Sequence, residues 1–386
     1  MIKGKFPVGK FEKIETPFYY YDIDLLNRTI DLVKKEAGRC NCQVHYAIKA
    51  NSNPRLLQLI AQQGLGADCV SGGEVKAAIE AGFPADKIVF AGVGKTDKEI
   101  NLALDYDIFC FNVESIPELE VINALAGQKN KTARIKLRIN PNVDAHTHRY
   151  ITTGLNENKF GLNIGLFDQV LARVRTLQHL ELIGLHFHIG SQITDLAVFE
   201  NLCMRINELQ DTLEQKGIFL QHINVGGGLG VNYEHPNHLP VVNFEAYFQL
   251  LQKNLKLRPG QILHCEPGRS IVAPCGSLIT RVIYVKKGIQ KQFAITDAGM
   301  TDLIRPALYE AYHRIENISS DKPAQLYDVV GPICESSDVF IKDTELNETQ
   351  RGDLLAIRSA GAYGEIMASQ YNLRPLPASV LSTDIL

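Results

Sequence analysis

Strand-like and helix-like runs alternate along the first two-thirds of this chain, and that alternation constrains the fold more than any other feature. The strand candidates are Val44–Lys49, Gly66–Ser71, Lys87–Gly92, Asp107–Val113, Arg134–Asn140, Leu182–Gly190, His222–Gly227 and Ile262–Pro267. Helical patterns lie between them, at Pro54–Gln63, Gly73–Ala81, Thr96–Asp105, Ile116–Ala126, Phe167–Thr176, Val198–Gln215 and Phe244–Leu255. Leu25–Ala37, ahead of the first strand, supplies an eighth helix. Pro54 opens one helix and Gly64 follows its end, the expected asymmetry of caps. Strands alternating with helices build parallel βα units. Eight of them over this length predict a (β/α)8 barrel spanning residues 24–270. The rival is a doubly wound open sheet, which needs a topological switch point and usually has fewer strands.

Beyond Pro267 the texture changes. Ser270–Val285, Gln292–Thr296, Leu326–Val330, Val339–Ile341 and Leu354–Ser359 are β-prone, and turn residues such as Lys287-Gly288, Gly331-Pro332 and Arg351-Gly352-Asp353 separate them. This reads as a second, all-β barrel domain over residues 271–386. The aromatic run Phe18-Tyr19-Tyr20-Tyr21 suits a strand, and residues 1–23 are expected to join that domain.

Composition narrows the function classes. The 386 residues carry a net charge of −3 with 22% charged and 45% hydrophobic residues, which gives no reason to expect nucleic acid or a membrane surface. Met1–Lys10 lacks the apolar core of a signal peptide, and no run is long and apolar enough to span a bilayer. A cytoplasmic protein with reduced thiols is expected. The eight cysteines form no CxxC pair, so neither a zinc knuckle nor a dithiol redox site is indicated.

Active sites of (β/α)8 enzymes sit at the C-terminal ends of the strands. Those ends carry Lys49, Asp68, Arg138, Asn140, His186, His188, Gly226-Gly227-Gly228, His264 and Glu266. Many lie two apart and so share a strand face. Each alone is readily a satisfied polar residue, and a lone lysine most often snorkels. Together, at equivalent places, they would bury too much unpaired charge to be incidental. Two chemistries compete. His186-x-His188 and His146-x-His148 have the spacing of metal pairs, but no complete ligand set accompanies them. An anion site fits better: the glycine run, with Gly230 beyond it, follows the seventh strand, and Gly268-Arg269 follows the eighth. A lysine, a phosphate site and the carboxylate of Glu266 are the set that pyridoxal 5'-phosphate needs, for its Schiff base, its phosphate and its ring nitrogen.

The motifs then resemble the diaminopimelate decarboxylase family. They are Tyr46-Ala47-Ile48-Lys49-Ala50-Asn51, His186-Phe187-His188-Ile189-Gly190-Ser191-Gln192, Gly226-Gly227-Gly228, Glu266-Pro267-Gly268-Arg269, Arg305-Pro306-x-Leu308-Tyr309, Cys334-Glu335-Ser336-x-Asp338 and Gly361-Ala362-Tyr363-Gly364. Asp144-Ala145-His146-Thr147-His148 with Tyr150, Thr153-Gly154 and Lys159-Phe160-Gly161 is similar to that family as well. The likeness runs from about Thr16 to Pro377, though the chain is shorter than many relatives, which implies trimmed loops. It also implies that His146 and His148 lie in a loop and bind no metal.

The resemblance implies a pyridoxal-phosphate barrel followed by a β domain, with roles carried residue by residue. Lys49 holds the cofactor covalently and His188 stacks on its ring. Ser191, Gly226, Gly227, Gly228, Pro267, Gly268 and Arg269 line the phosphate region. Glu266 pairs with the ring nitrogen, and Tyr363 closes over the cofactor and contacts the substrate. Asp68 and Arg138 match positions near the lysine. Arg269, Arg305 and Tyr309 bind substrate. Glu335 and the proton donor Cys334 come from the second subunit of a homodimer, with Lys49 the alternative donor. The implied reaction is decarboxylation of meso-2,6-diaminopimelate to L-lysine. Arg305 and Glu335 offer one charge of each sign, which suits the substrate's distal zwitterion. Ornithine and arginine decarboxylases need mainly acids there. Carboxynorspermidine decarboxylase is a further alternative. A non-catalytic pyridoxal-binding paralogue would be expected to lose Cys334, Glu335 or Arg305, and this chain has all three.

Overall fold

Eight parallel strands close on themselves in chain order: β1 (Cys42–Ala47), β2 (Gly66–Cys69), β3 (Ile88–Phe90), β4 (Cys110–Val113), β5 (Ala133–Asn140), β6 (Leu180–His186), β7 (His222–Asn224) and β8 (Ile262–Cys265). The ring shuts where Leu263 of β8 faces Cys42 of β1. The computed structural model describes residues 4–143 and 159–385. The motif residues Asp144–His148, Tyr150 and Thr153-Gly154 lie outside the described residues. Two compact units emerge. One is Ile30–Gly230 with Asn243–Gly268; the other gathers the chain up to Thr29, Val231–Val242 and everything from Arg269 onward.

Local chemistry accounts for the helices of the barrel unit. Asn53, Ser71, Thr96, Ser115 and Asn243 stand at N-caps, and each side chain accepts a backbone N–H of the first turn. Thr96 and Glu99 complete a reciprocal capping box. Gly82, at φ 95°, ends the helix Gly72–Ala81 in the left-handed conformation. Every residue of β2, β3 and β4 is buried, as expected when helices cover one face of a strand and the barrel interior the other.

Strand ends depart from the sequence expectation. β1, β6, β7 and β8 stop at Ala47, His186, Asn224 and Cys265, so Lys49, His188, the glycine run and Glu266 lie past the ladders. The alternation inferred for Lys49 therefore breaks: Ile48–Ala50 forms a single 3-10 turn. The Tyr46 hydroxyl ties that turn down by donating to the Asn51 carbonyl at 2.9 Å, and Asn51 Oδ1 accepts the Asn53 N–H at 2.9 Å.

The second unit is mostly sheet. Its strands run in the order Ile315–Asn317, Leu354–Ile357, Gly276–Lys287, Gln292–Thr296, Ala324–Val330, Val339–Asn347. Phe18–Tyr21 pairs antiparallel with Gly276–Ile279 and parallel with Ala378–Leu381. Phe11, Phe18, Tyr20, Ile279, Leu354 and Ala356 form a core cluster beneath it. The strand expected from Ser270 begins only at Gly276, because Arg269–Val272 is helical and Pro274 has no N–H for a ladder. Among the described residues, no helix is long and apolar enough to cross a membrane.

Candidate active site

In the barrel unit the polar residues gather around Glu266. Its side chain is buried, with three N–H donors converging on the carboxylate. Asn224 Nδ2 lies 2.6 Å and Asn112 Nδ2 3.3 Å from Oε1, and His186 Nε2 lies 2.9 Å from Oε2. Burial alone would raise the Glu266 pKa, but the close contact with His186 outweighs burial and holds the carboxyl below its ordinary range. His186 itself is kept neutral, chiefly by burial. A carboxylate only accepts, so His186 carries its proton on Nε2. The stabilisation of ionised Glu266 is thus hydrogen bonding from neutral groups, and the anion keeps its capacity to bind a cation.

Lys49 is half-buried on its turn. The turn packs on Gly268, where an added Cβ would come within 2.9 Å of Ala50 Cβ and 3.0 Å of Ala47 Cβ. Asp68 is buried on β2, and its Oδ1 has no hydrogen-bond partner among the described residues. Burial first, and then the Glu266 charge, raise its pKa, while Lys49 opposes them. Arg138 is committed to a buried ion pair with Glu114 at 2.6 Å, and Glu114 also accepts the N–H groups of Gly92 and Gly161 at 3.0 Å each.

The glycine run is shaped by close backbone approach. Gly226 has φ 73°, and a Cβ there would lie 2.2 Å from the Phe187 carbonyl; at Gly227 it would lie 2.3 Å from the Glu266 carbonyl. Two of the N–H groups expected to wrap an anion are already engaged: Gly226 N–H donates to Asn224 Oδ1 at 2.8 Å and Gly227 N–H to His188 Nδ1 at 3.3 Å. Burial, then the charges of Lys49 and Arg138, hold His188 well below the usual imidazole range, so its ring is neutral. His186 and His188, two apart in sequence, turn to different partners and do not converge. Ser191 follows in the same segment, four residues before a helix-initiating Asp195 that accepts the Ala197 N–H.

The sheet unit carries a second cluster, built on cations. Arg305 opens the short helix Arg305–Tyr309, with Pro306 in its first turn. The guanidinium of Arg305 lies over the Tyr233 ring at 4.8 Å and donates from Nη1 to His313 Nε2 at 2.8 Å. Arg269 Nη1 lies 2.6 Å from the Tyr233 hydroxyl, and the Arg269 guanidinium lies 4.8 Å from the centre of the Tyr363 ring. Tyr363 has φ 56°, an uncommon conformation for a residue with a Cβ. Burial would raise the Tyr233 pKa, but Arg269 and Arg305 together bring it below the ordinary value. Tyr309 is half-buried on the Arg305 helix. Cys334 and Glu335 are exposed on a turn whose shape Asp338 sets: its carboxylate accepts the N–H groups of Ile333 at 2.7 Å and Met300 at 2.6 Å. Glu335 Oε1 accepts the Tyr371 hydroxyl at 2.6 Å.

Sequence reasoning missed Asn112, Glu114, Asn224, Tyr233 and His313. The first three had a usable signal, being polar residues within or just past otherwise apolar strands. Tyr233 and His313 had none, since nothing in their spacing announces Arg269 or Arg305.

The barrel's features fit pyridoxal phosphate: an accessible lysine, a buried ionised carboxylate held by neutral donors, and glycines that let loops approach closely. Comparison with known proteins points the same way. The pyridoxal-binding domain of the pyridoxal-dependent decarboxylases matches residues 23–273. Diaminopimelate decarboxylase of Bacteroides thetaiotaomicron is 60% identical over 385 residues, covering 100% of both chains. That of Aquifex aeolicus is 43% identical over 95% of this chain and 86% of its own. The crystal structure of Helicobacter pylori diaminopimelate decarboxylase complexed with L-lysine superposes with a TM-score of 0.92 at 43% identity, covering 98% of this chain and 94% of that one.

Proposed function

Since the chain belongs to the diaminopimelate decarboxylases, a family of pyridoxal-dependent decarboxylases, we propose that its own residues divide the decarboxylation of meso-2,6-diaminopimelate to L-lysine as follows. This is the last step of lysine biosynthesis. Bound pyridoxal phosphate supplies an electron sink for the charge left behind by departing carbon dioxide. Lys49 holds the cofactor covalently. Glu266 keeps a proton on the ring nitrogen; its burial as an anion among neutral donors is the observation that carries this reading. His188, neutral, lies against the ring. Ser191, Gly226, Gly227, Gly228, Pro267, Gly268 and Arg269 serve the phosphate region, and Asp68 and Arg138 support the surroundings of Lys49.

Recognition falls to the sheet unit. Arg305 takes the substrate's distal carboxylate, with Tyr309, Tyr363 and Arg269 beside it. Cys334 Sγ delivers the proton that replaces the lost carboxylate, and Glu335 takes the distal ammonium. We assign both to the partner subunit of a homodimer, a reading supported by their exposure here. The enzyme works in the cytoplasm.

A substrate screen combined with borohydride reduction tests the proposal. Reduction should fix pyridoxal phosphate on Lys49 in the parent and leave Lys49→Ala unlabelled, and diaminopimelate should far outpace ornithine and arginine. Label on another lysine would overturn the Lys49 role; faster turnover of ornithine would overturn the substrate.

A further inference from the structure

The arrangement around Arg305 assigns a role to a residue that the reaction scheme leaves unused. We propose that His313 is a positioning residue for substrate selection: it occupies one end of the Arg305 guanidinium and so presents the other edge to the distal carboxylate. This rests on the reading of Arg305 as the carboxylate fork.

The orientation follows from donors and acceptors. Arginine only donates, so His313 Nε2 must accept from Arg305 Nη1 across their 2.8 Å contact. His313 Nδ1 lies 2.8 Å from the Arg358 carbonyl, which only accepts, so Nδ1 carries the proton. The imidazole is therefore a neutral ring locked in one tautomer. Burial, and then the Arg305 charge, lower its pKa to about 3, so it stays an acceptor across the working pH range. Tyr233 braces the other side. Its ring lies under Arg305 at 4.8 Å, stands edge-on to His313 with 5.0 Å between ring centres, and carries the hydroxyl that engages Arg269.

The guanidinium thus has Nη1 committed to His313 and also shares a hydrogen bond with the Tyr233 side chain, while Arg305 Nε, in a residue only 5% exposed, has no hydrogen-bond partner among the described residues. A buried, unsatisfied Nε–H on a fixed guanidinium is one tine of the fork that a carboxylate engages with two oxygens. A lysine in place of Arg305, or an arginine free to rotate, would keep the charge and lose that geometry.

Calorimetric titration of the pyridoxal phosphate-loaded enzyme with L-lysine and with cadaverine separates the possibilities, because L-lysine carries the distal carboxylate and cadaverine does not. His313→Leu, which removes the acceptor, should weaken L-lysine about tenfold and cadaverine less than about twofold. His313→Gln, which can accept from Arg305 and donate to the Arg358 carbonyl, should recover most of the loss. If His313→Leu does not fold, His313→Asn, one methylene too short to reach, takes its place. Arg305→Gln is the control. If it weakens L-lysine selectively while the His313 variants do not, the positioning role is overturned and the carboxylate fork survives. If Arg305→Gln leaves the lysine-to-cadaverine ratio unchanged, the fork and the positioning role fall together.

Discussion

The barrel and the sheet unit each bury a charge, and each surrounds it with neutral partners. In the barrel, Glu266 is an anion held by His186, Asn112 and Asn224. In the sheet unit, Arg305 is a cation held by His313 and Tyr233. Elsewhere in the barrel unit buried charge is compensated directly: Arg138 with Glu114 at 2.6 Å, Lys95 with Glu118 at 2.5 Å. The difference separates two uses of buried charge. A compensated pair holds the scaffold. A charge solvated by neutral dipoles keeps its field for a ligand of opposite sign.

The most severe test mixes defects from the two units. Lys49→Ala and Cys334→Ala proteins should each be nearly inactive. With the sites shared across a homodimer as proposed, subunit exchange would make half the dimers mixed, each with one intact site, so about a quarter of parental activity should return. No recovery despite exchange proven by mass spectrometry would place Cys334 in its own subunit's site or outside the reaction.

The compensated pair should respond in stability. Glu114→Gln leaves the Arg138 guanidinium buried beside a neutral amide and should cost roughly 3–5 kcal/mol of unfolding free energy. Chemical denaturation measures this, and a cost below about 1 kcal/mol would show that the pair does not hold the scaffold.

A third way of burying polar groups is neutrality. His45, His264 and His222 form a relay inside the barrel, with 2.9 Å between His45 Nε2 and His264 Nδ1 and 2.9 Å between His264 Nε2 and His222 Nδ1. Burial first, and then Lys136, lower the His45 pKa from 6.5 to about 4. Between those values the unfolded chain binds a proton that the folded one refuses, so stability rises with pH across the window and is lost as pH falls from 6.5 towards 4. The loss attributable to His45 is on the order of 3 kcal/mol. Denaturation midpoints at several pH values should show this slope, and His45→Gln should reduce it by the His45 share, since burial lowers His222 to about 4 as well.

Glu266→Gln tests the buried anion through the cofactor. The amide keeps one oxygen for the Asn224 and Asn112 donors. Affinity for pyridoxal phosphate should fall by roughly 1.5–3 kcal/mol, the worth of a hydrogen bond to a charged group. Turnover should fall further, and near-parental turnover would break the assignment of Glu266 to the ring nitrogen.

Much of this was legible in the residues themselves. Each of the eight barrel strands starts within three residues of its expected start, as at Ala133–Asn140 and His222–Asn224, because apolar runs and capping residues act over a few neighbours. Strand ends were read too long at Lys49, His188, Gly226 and Glu266, where the chain leaves the ladder to build loops and period-two alternation no longer applies. Polar side chains that interrupt an apolar run, such as Asp68 and Arg138, were legible as candidates, while Asn112 and Asn224 carried the same signal and were passed over.

The sequence by itself determined the alternating units, the helix caps and the identities of Lys49, Glu266 and Arg305, since these depend on local backbone preference and on side-chain chemistry. Only the tertiary structure decided which neutral groups surround each charge. Asn112, His186 and Asn224 reach Glu266 across separations of 154, 80 and 42 residues. Tyr233 reaches Arg269 across 36, and the ring of His313 becomes a partner of Arg305 only because the Arg358 carbonyl fixes its tautomer. A hydrogen bond holds over about 3 Å and requires alignment. No pattern along the chain encodes such distances before the barrel and the sheet have closed.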